Sequence, residues 1–236
     1  MAGEVTNTRV ASRHPLDWCV EQGWEWDMIV RQIGTEPEKA EGVAFWDPAA
    51  GFGHSASRLQ GWFEGPFYLS DLVENVAYDD FDTRPTYFNA DFLELTAPPT
   101  TRVSIFMNPP YSYCKGSGAY GGMLIGEAFV RHALKLATHR VVALFPLKWL
   151  SGGKARGPLF RFDHPPQQVL YFTQRPSMPP GDLLPALERA NKAYKGGQID
   201  YCAVVWDVRE PTKPGETRSV WLGRFDDPAE WAGGRG

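Results

Sequence analysis

The feature that most constrains this chain is a series of short, unbroken apolar runs, each stopped by polar, glycine or proline residues. They occupy residues 42–46, 67–69, 86–88, 102–107 and 140–145. A strand with one face in water alternates apolar and polar side chains. An unbroken run buries both faces, which is how the strands of a parallel sheet covered by helices read. Between the runs lie segments of helical spacing. The clearest is 124–137, where Leu124, Ala128, Phe129, Ala133, Leu134 and Leu136 favour one face. Strands and helices in alternation predict a doubly wound α/β sheet.

The last third reads differently. Residues 168–173, 201–208 and 219–222 are β-rich, with proline- and glycine-rich connections at 175–181 and 211–215. They predict antiparallel strands added at one sheet edge, with a helix within 182–196 packed between two of them. No internal repeat or low-complexity tract divides the chain. One domain is therefore expected over 1–236, with a helical N-terminal extension (1–40), a core (41–150), and edge strands and substrate loops (151–236).

Composition narrows the class. At 43% hydrophobic and 14% aromatic residues, the chain has ample material for a core, so wholesale disorder is excluded. No apolar run approaches the roughly 18–20 residues needed to cross a bilayer, and residues 1–13 lack the apolar stretch of a signal peptide. A cytoplasmic protein with no membrane partner is expected. Cys19, Cys114 and Cys202 stand too far apart for a disulfide framework or a cysteine-rich metal site, and no metal is expected. Net charge is −4, but unevenly spread: residues 1–100 hold 6 Lys and Arg against 17 Asp and Glu, whereas residues 101–200 hold 13 against 5. That asymmetry suits a protein that turns one face toward a polyanion.

Four strand ends carry the chemistry. The first run ends in Asp47-Pro48-Ala49-Ala50-Gly51-Phe52-Gly53, with a helix predicted from about Ser55. Glycines there let a ligand lie against bare main chain near a helix N-terminus. The loop is neither a dinucleotide fingerprint nor a phosphate loop, since it lacks the third glycine and the Gly-Lys-Ser/Thr. Asp71 follows the second run, where an acidic residue can bind ribose hydroxyls. Asp91-Phe92 follows the third, offering a carboxylate for an adenine amino group and a ring to pack on its face. The fourth run ends in Asn108-Pro109-Pro110-Tyr111. Two prolines remove two backbone donors and rule out a helix or ladder. What remains is a rigid loop with an amide oxygen, free carbonyls and an aromatic plate, a cradle for a planar group bearing –NH₂.

With these residues in order, the chain resembles the class I S-adenosylmethionine-dependent methyltransferases, and most of all the DNA adenine-N6 methyltransferases. The resemblance covers about residues 40–150 and, more loosely, the edge strands. It implies a Rossmann-like sheet of seven to eight mostly parallel strands with antiparallel edge strands, and S-adenosylmethionine as cofactor. It also implies a cofactor site of Asp47, Pro48, Ala49, Gly51, Gly53, Asp71, Asp91, Phe92 and Asn108, and a catalytic tetrapeptide of Asn108, Pro109, Pro110 and Tyr111. Residues 143–150 resemble the family's fifth strand and the loop lining its target-base pocket, which adds Trp149. Where family members contact the cofactor's methionine end through an N-terminal segment, often with a Thr-Pro pair, the nearest candidate here is Arg13-His14-Pro15. The chain shows no separate target-recognition segment and in this resembles short enzymes of phage and prophage origin.

The reaction implied is methyl transfer to the exocyclic N6 of an adenine flipped out of DNA. Asn108 and the Pro109 carbonyl would accept the amino hydrogens, and Tyr111 would stack on the base. Lys148, Lys154, Arg156 and Arg161 are candidate phosphate contacts. Residues 112–122, with four glycines and two tyrosines, read as a lid. His54 reads as a local polar contact. Other acceptors with the same chemistry are an RNA base amine, cytosine N4 in DNA and a protein glutamine amide. A binding module without activity is the remaining alternative.

Overall fold

The computed structural model describes residues 19–111, 120–195 and 197–223. Residues 112–119 of the predicted lid, among them Cys114, and the Arg13-His14-Pro15 segment lie outside the described residues.

Five strands, β1 (Ala44–Asp47), β2 (Phe67–Asp71), β3 (Thr86–Asn89), β4 (Val103–Met107) and β5 (Arg140–Pro146), coincide with the five apolar runs and pair in parallel. Three more, β6 (Gln168–Phe172), β7 (Tyr201–Asp207) and β8 (Arg218–Leu222), complete an eight-stranded sheet of order β3-β2-β1-β4-β5-β7-β6-β8. The reversal expected near this end is carried by β7 alone, which lies antiparallel to both β5 and β6, while the edge strand β8 runs parallel to β6.

The unbroken runs have the predicted cause. On one face Trp46, Ile105, Met107, Val141, Ala143 and Phe145 join Phe129, Val130, Ala133 and Leu136 of helix α4 (Ile125–Leu136). On the other, Phe45, Leu69, Phe106, Val142 and Leu144 meet Trp26, Ile29 and Val30 of α1 (Trp24–Ile33) and Ala56 and Leu59 of α3 (His54–Leu59). Successive residues 141–145 of β5 therefore enter opposite cores, and all five are apolar. Apolar burial on both sides of the sheet is the main stabilising contribution.

The amino end of the sheet is closed by charge. Glu38 of α2 (Glu36–Glu41) and Arg140 form a buried pair, with Ser104 Oγ donating to the Glu38 carboxylate at 2.9 Å. The same guanidinium donates to the carbonyls of Ile33 and Gly34 at 3.0 and 2.8 Å, so the α1–α2 turn is tied to β5. The helix expected within 182–196 is shorter, α6 (Leu184–Arg189). It breaks into turns where Asn191 and Tyr194 take positive φ of 52° and 56°, conformations a helix does not tolerate.

Candidate active site

Parallel strands deliver their carboxyl ends to one side of the sheet. The loops after β1, β2, β3, β4 and β5 thus open on a common edge, with the β1 loop between those of β2 and β4.

The β1 loop is held from within. Asp47 is buried; Oδ1 accepts from the Ala49 N–H at 3.0 Å and Oδ2 accepts a short bond from Ser55 Oγ. Burial pushes its carboxyl up to about 7, against the Ser55 hydroxyl and Ala49 N–H, which pull it down. Asp47 thus pins the turn shut across Pro48 rather than reaching outward. Gly51 and Gly53 both have positive φ, 49° and 83°. A Cβ at Gly53 would lie 2.9 Å from the Phe81 ring, whereas one at Gly51 would meet nothing within 4 Å. One glycine is required by packing. The other leaves bare main chain with no described residue against it.

Asp71 bridges two loops. Its carboxylate accepts from the Gly51 N–H at 2.9 Å and the Leu72 N–H at 2.7 Å. Burial raises its carboxyl, and these N–H groups oppose the shift. Asn89, at the end of β3, donates to the carbonyls of Asp71 and Leu72. Asp91 caps a single helical turn by accepting from the Leu93 N–H at 3.0 Å. The Phe92 ring does not flank an open site as expected. It is buried edge-on to Trp46, 5.3 Å between centroids, and 5.0 Å from Phe129. In this structure its ring therefore packs between two large core rings.

The Asn108 amide is fully engaged. Nδ2 donates to the Cys19 carbonyl at 3.1 Å and the Glu21 carboxylate at 2.8 Å, while Oδ1 accepts a short bond from the Tyr111 hydroxyl. Burial drives the Tyr111 hydroxyl well above its ordinary pKa, and the ring packs 6.0 Å from Phe145 and 6.2 Å from Tyr201. In this structure Tyr111 is thus turned inward. Pro109 is buried and Pro110 half-buried. Gly126 lets α4 come close here: a Cβ would lie 3.1 Å from Trp149 Nε1 and 3.2 Å from the Pro110 carbonyl.

The loop after β5 departs most from expectation. The Trp149 ring is buried and stacks flat on Phe145 at 3.6 Å, so it is a wall of the core rather than a free substrate contact. Arg156, on α5 (Gly153–Pro158), is also buried. Its Nε donates to the Trp149 carbonyl at 2.7 Å and its guanidinium lies over the Trp149 ring at 4.9 Å, which makes it a brace of this loop rather than a phosphate contact. Lys148, Lys154 and Arg161 are exposed. His54 makes a local contact, its Nδ1 being 3.3 Å from the Glu21 carbonyl.

No protein-family model and no curated protein sequence matches the chain. Solved structures do. A candidate class I S-adenosylmethionine-dependent methyltransferase of Listeria monocytogenes superposes with a TM-score of 0.64 at 12% identity, over 96% of this chain and 71% of that one. A candidate RNA methyltransferase of Pyrococcus horikoshii gives 0.56 at 15% identity, over 81% and 87%. The methyltransferase subunit of a type I restriction-modification system of Streptococcus thermophilus gives 0.56 at 13% identity, over 88% of this chain but 47% of that one. The fold is that of the class I methyltransferases.

On this fold the N-terminal strap matters more than its sequence suggested. Glu21 is buried, Trp26 Nε1 donates to its Oε1 at 3.2 Å, and the neighbouring Val20 N–H donates to the Pro179 carbonyl at 2.9 Å. Glu25, at 0% exposure, has no side-chain partner for its carboxylate among the described residues, and burial raises it to about 7 against the backbone N–H groups of Gln22, Gly23 and Glu25, which pull it down. The signal was present: two acids four apart in Glu21-Gln22-Gly23-Trp24-Glu25-Trp26, a stretch whose tryptophans demand burial.

Proposed function

We propose that this protein binds S-adenosylmethionine and transfers its methyl group to the N6 amine of an adenine in DNA. The observation that carries the reading is the Asn-Pro-Pro-Tyr turn at the end of β4, with the Asn108 Oδ1 facing the Tyr111 hydroxyl beside the glycine and carboxylate loops of β1 and β2. These loops fit the cofactor. Gly51 offers main chain with no described residue against it, and the Asp71 carboxylate, already fixed by two N–H donors, has lone pairs left for ribose hydroxyls. Asp47 shapes the loop, and Asp91, rather than the Phe92 ring, addresses the adenine.

Bound there, the cofactor would supply a methyl group on a sulfonium, whose neutral thioether is a good leaving group, so that neither metal nor strong base is needed and the surplus proton of the methylated amine goes to solvent. The protein's work is positioning. Asn108 Oδ1 and the Pro109 carbonyl accept the two amino hydrogens, draw the nitrogen out of conjugation with the ring and aim its lone pair. The incoming amine takes the place of the Tyr111 hydroxyl on Oδ1. The released ring becomes the stacking plate, a contact worth about 1–3 kcal/mol in comparable systems. A duplex adenine reaches such a cradle only when extruded.

The test is transfer of labelled methyl from the cofactor to DNA, RNA and protein acceptors, followed by nucleoside and amino-acid analysis. N6-methyladenine in DNA is expected. Methylglutamine or a methylated RNA base without a DNA product overturns the acceptor, and no cofactor binding at all overturns the whole reading.

A further inference from the structure

The two ends of an asparagine amide have the same shape and opposite hydrogen-bonding character. A cradle that must present oxygen to an amine fails if the amide is reversed, because –NH₂ would then face –NH₂. Something has to select the orientation of Asn108. Neither proline beside it can, since neither carries an N–H. In the structure the selection comes from residues 87 and 89 positions away: the Glu21 carboxylate and the Cys19 carbonyl, both acceptors, stand at one end of the amide. Reversal would set the Asn108 oxygen against two other oxygens at these distances.

Glu21 is not free to yield. It is buried, its second oxygen accepts from Trp26 Nε1, its own carbonyl lies against His54, and the adjacent main chain is bonded to Pro179. We infer that Glu21 is a positioning residue, which locks the Asn108 amide with Oδ1 toward the acceptor amine. The inference rests on the proposed transfer reaction and adds to it a residue from outside the strand-end loops. Other titratable groups interacting with Glu21 are Asp47 from β1, Glu25 from α1, His54 from α3, Tyr111 after β4 and Tyr194 beyond α6.

The full-length protein is assayed as wild type, Glu21→Leu, Asn108→Asp, and Asn108→Asp with Glu21→Gln. Glu21→Leu should lower kcat at least about two-fold, the loss when half the molecules hold the amide reversed, with cofactor affinity and the KM for DNA within a few-fold because the site stays in place. Asn108→Asp sets two carboxylates face to face, and such a pair cannot ionise together. Its pH–rate profile should therefore gain an inflection above the ordinary carboxylate range. Adding Glu21→Gln should move that inflection down by about one pH unit or more. A general loss of stability lowers apparent kcat by removing folded enzyme but does not move this inflection. The paired variants also decide the matter if Glu21→Leu does not fold. Wild-type transfer with undiminished kcat in Glu21→Leu overturns the inference alone, as does an inflection in the Asn108→Asp variant that is indifferent to Glu21→Gln. Absence of wild-type transfer to any acceptor overturns the proposed function, and the inference with it.

Discussion

The two halves of the site are built on different principles. After β1, β2 and β3, each carboxylate is satisfied by N–H groups close by: Asp47 by Ala49, Asp91 by Leu93, and Asp71 by Leu72 and the adjoining Gly51. After β4 and β5 the polar contact comes from the N-terminal strap, and the walls are rings, Tyr111 against Phe145 and Phe145 against Trp149. The first half is preorganised by short loops. The second is assembled from distant parts and holds the Tyr111 hydroxyl on Asn108 Oδ1, so the proposed reaction would require it to rearrange.

The comparison breaks if one residue serves both halves. Asn108→Ala removes the acceptor on the amine and little of the cofactor cradle. Its kcat should fall by about a thousand-fold, the upper range for one oriented polar group, with calorimetric cofactor affinity within a few-fold. Equal losses of affinity and kcat would show the halves to be one unit.

The next largest effect belongs to Glu25, in the strap. Its folded-state pKa of about 7 lies above the ordinary 4.5. Below pH 4.5 it is neutral both folded and unfolded, and makes no pH-dependent difference. Between 4.5 and 7 only the folded protein holds the proton, so stability declines as pH rises, and above 7 the full deficit of about 3 kcal/mol remains. Glu25→Gln has no such deficit. Denaturation curves should show the variant more stable than wild type by about that amount at pH 8 and nearly equal to it at pH 4. A gap independent of pH would mean that Glu25 does not titrate with folding.

Asp71→Ala is the converse of Asn108→Ala. Two charge-assisted bonds from main-chain donors and the ribose contact are lost together. Cofactor binding should weaken about ten- to hundred-fold, with kcat at saturating cofactor largely kept. Loss of kcat with affinity intact would remove Asp71 from the cofactor half.

The same division governs what could be read from the sequence. The β1, β2 and β3 loops were legible because their logic is local: a strand end, a carboxylate, a glycine. The tetrapeptide was legible because two prolines leave few alternatives. The settings of Phe92 and Trp149 were not legible, because an aromatic at a strand end reads equally as plate or core, and only the neighbours Trp46, Phe129 and Phe145 show how each ring packs. Glu21 was not found at all. The local pattern of acids among tryptophans marks it for burial, but its partner lies 87 residues on, and no spacing rule reaches that far. Part of the basic excess of residues 101–200 is spent internally for a related reason, since Arg140 and Arg131 are paired with Glu38, Glu127 and Asp163, and Arg156 is buried.

The smallest effect tests what remains of that excess. Lys148 and Lys154 sit exposed in and just after the loop following β5, where a polyanion over the acceptor half would pass. Each phosphate neutralised on duplex DNA contributes about −0.9 to the slope of log affinity against log salt. Lys148→Ala should reduce the slope by about one unit and weaken binding evenly across sequences. Arg156→Ala carries the same charge change with the opposite expectation. Its guanidinium is spent on the Trp149 carbonyl and ring. Its loss should loosen that loop and lower stability, by about 1–3 kcal/mol for an orphaned buried acceptor, while leaving the salt slope unchanged. If the two variants shift the slope equally, Arg156 reaches DNA after all, and the wall of the acceptor half opens when substrate binds.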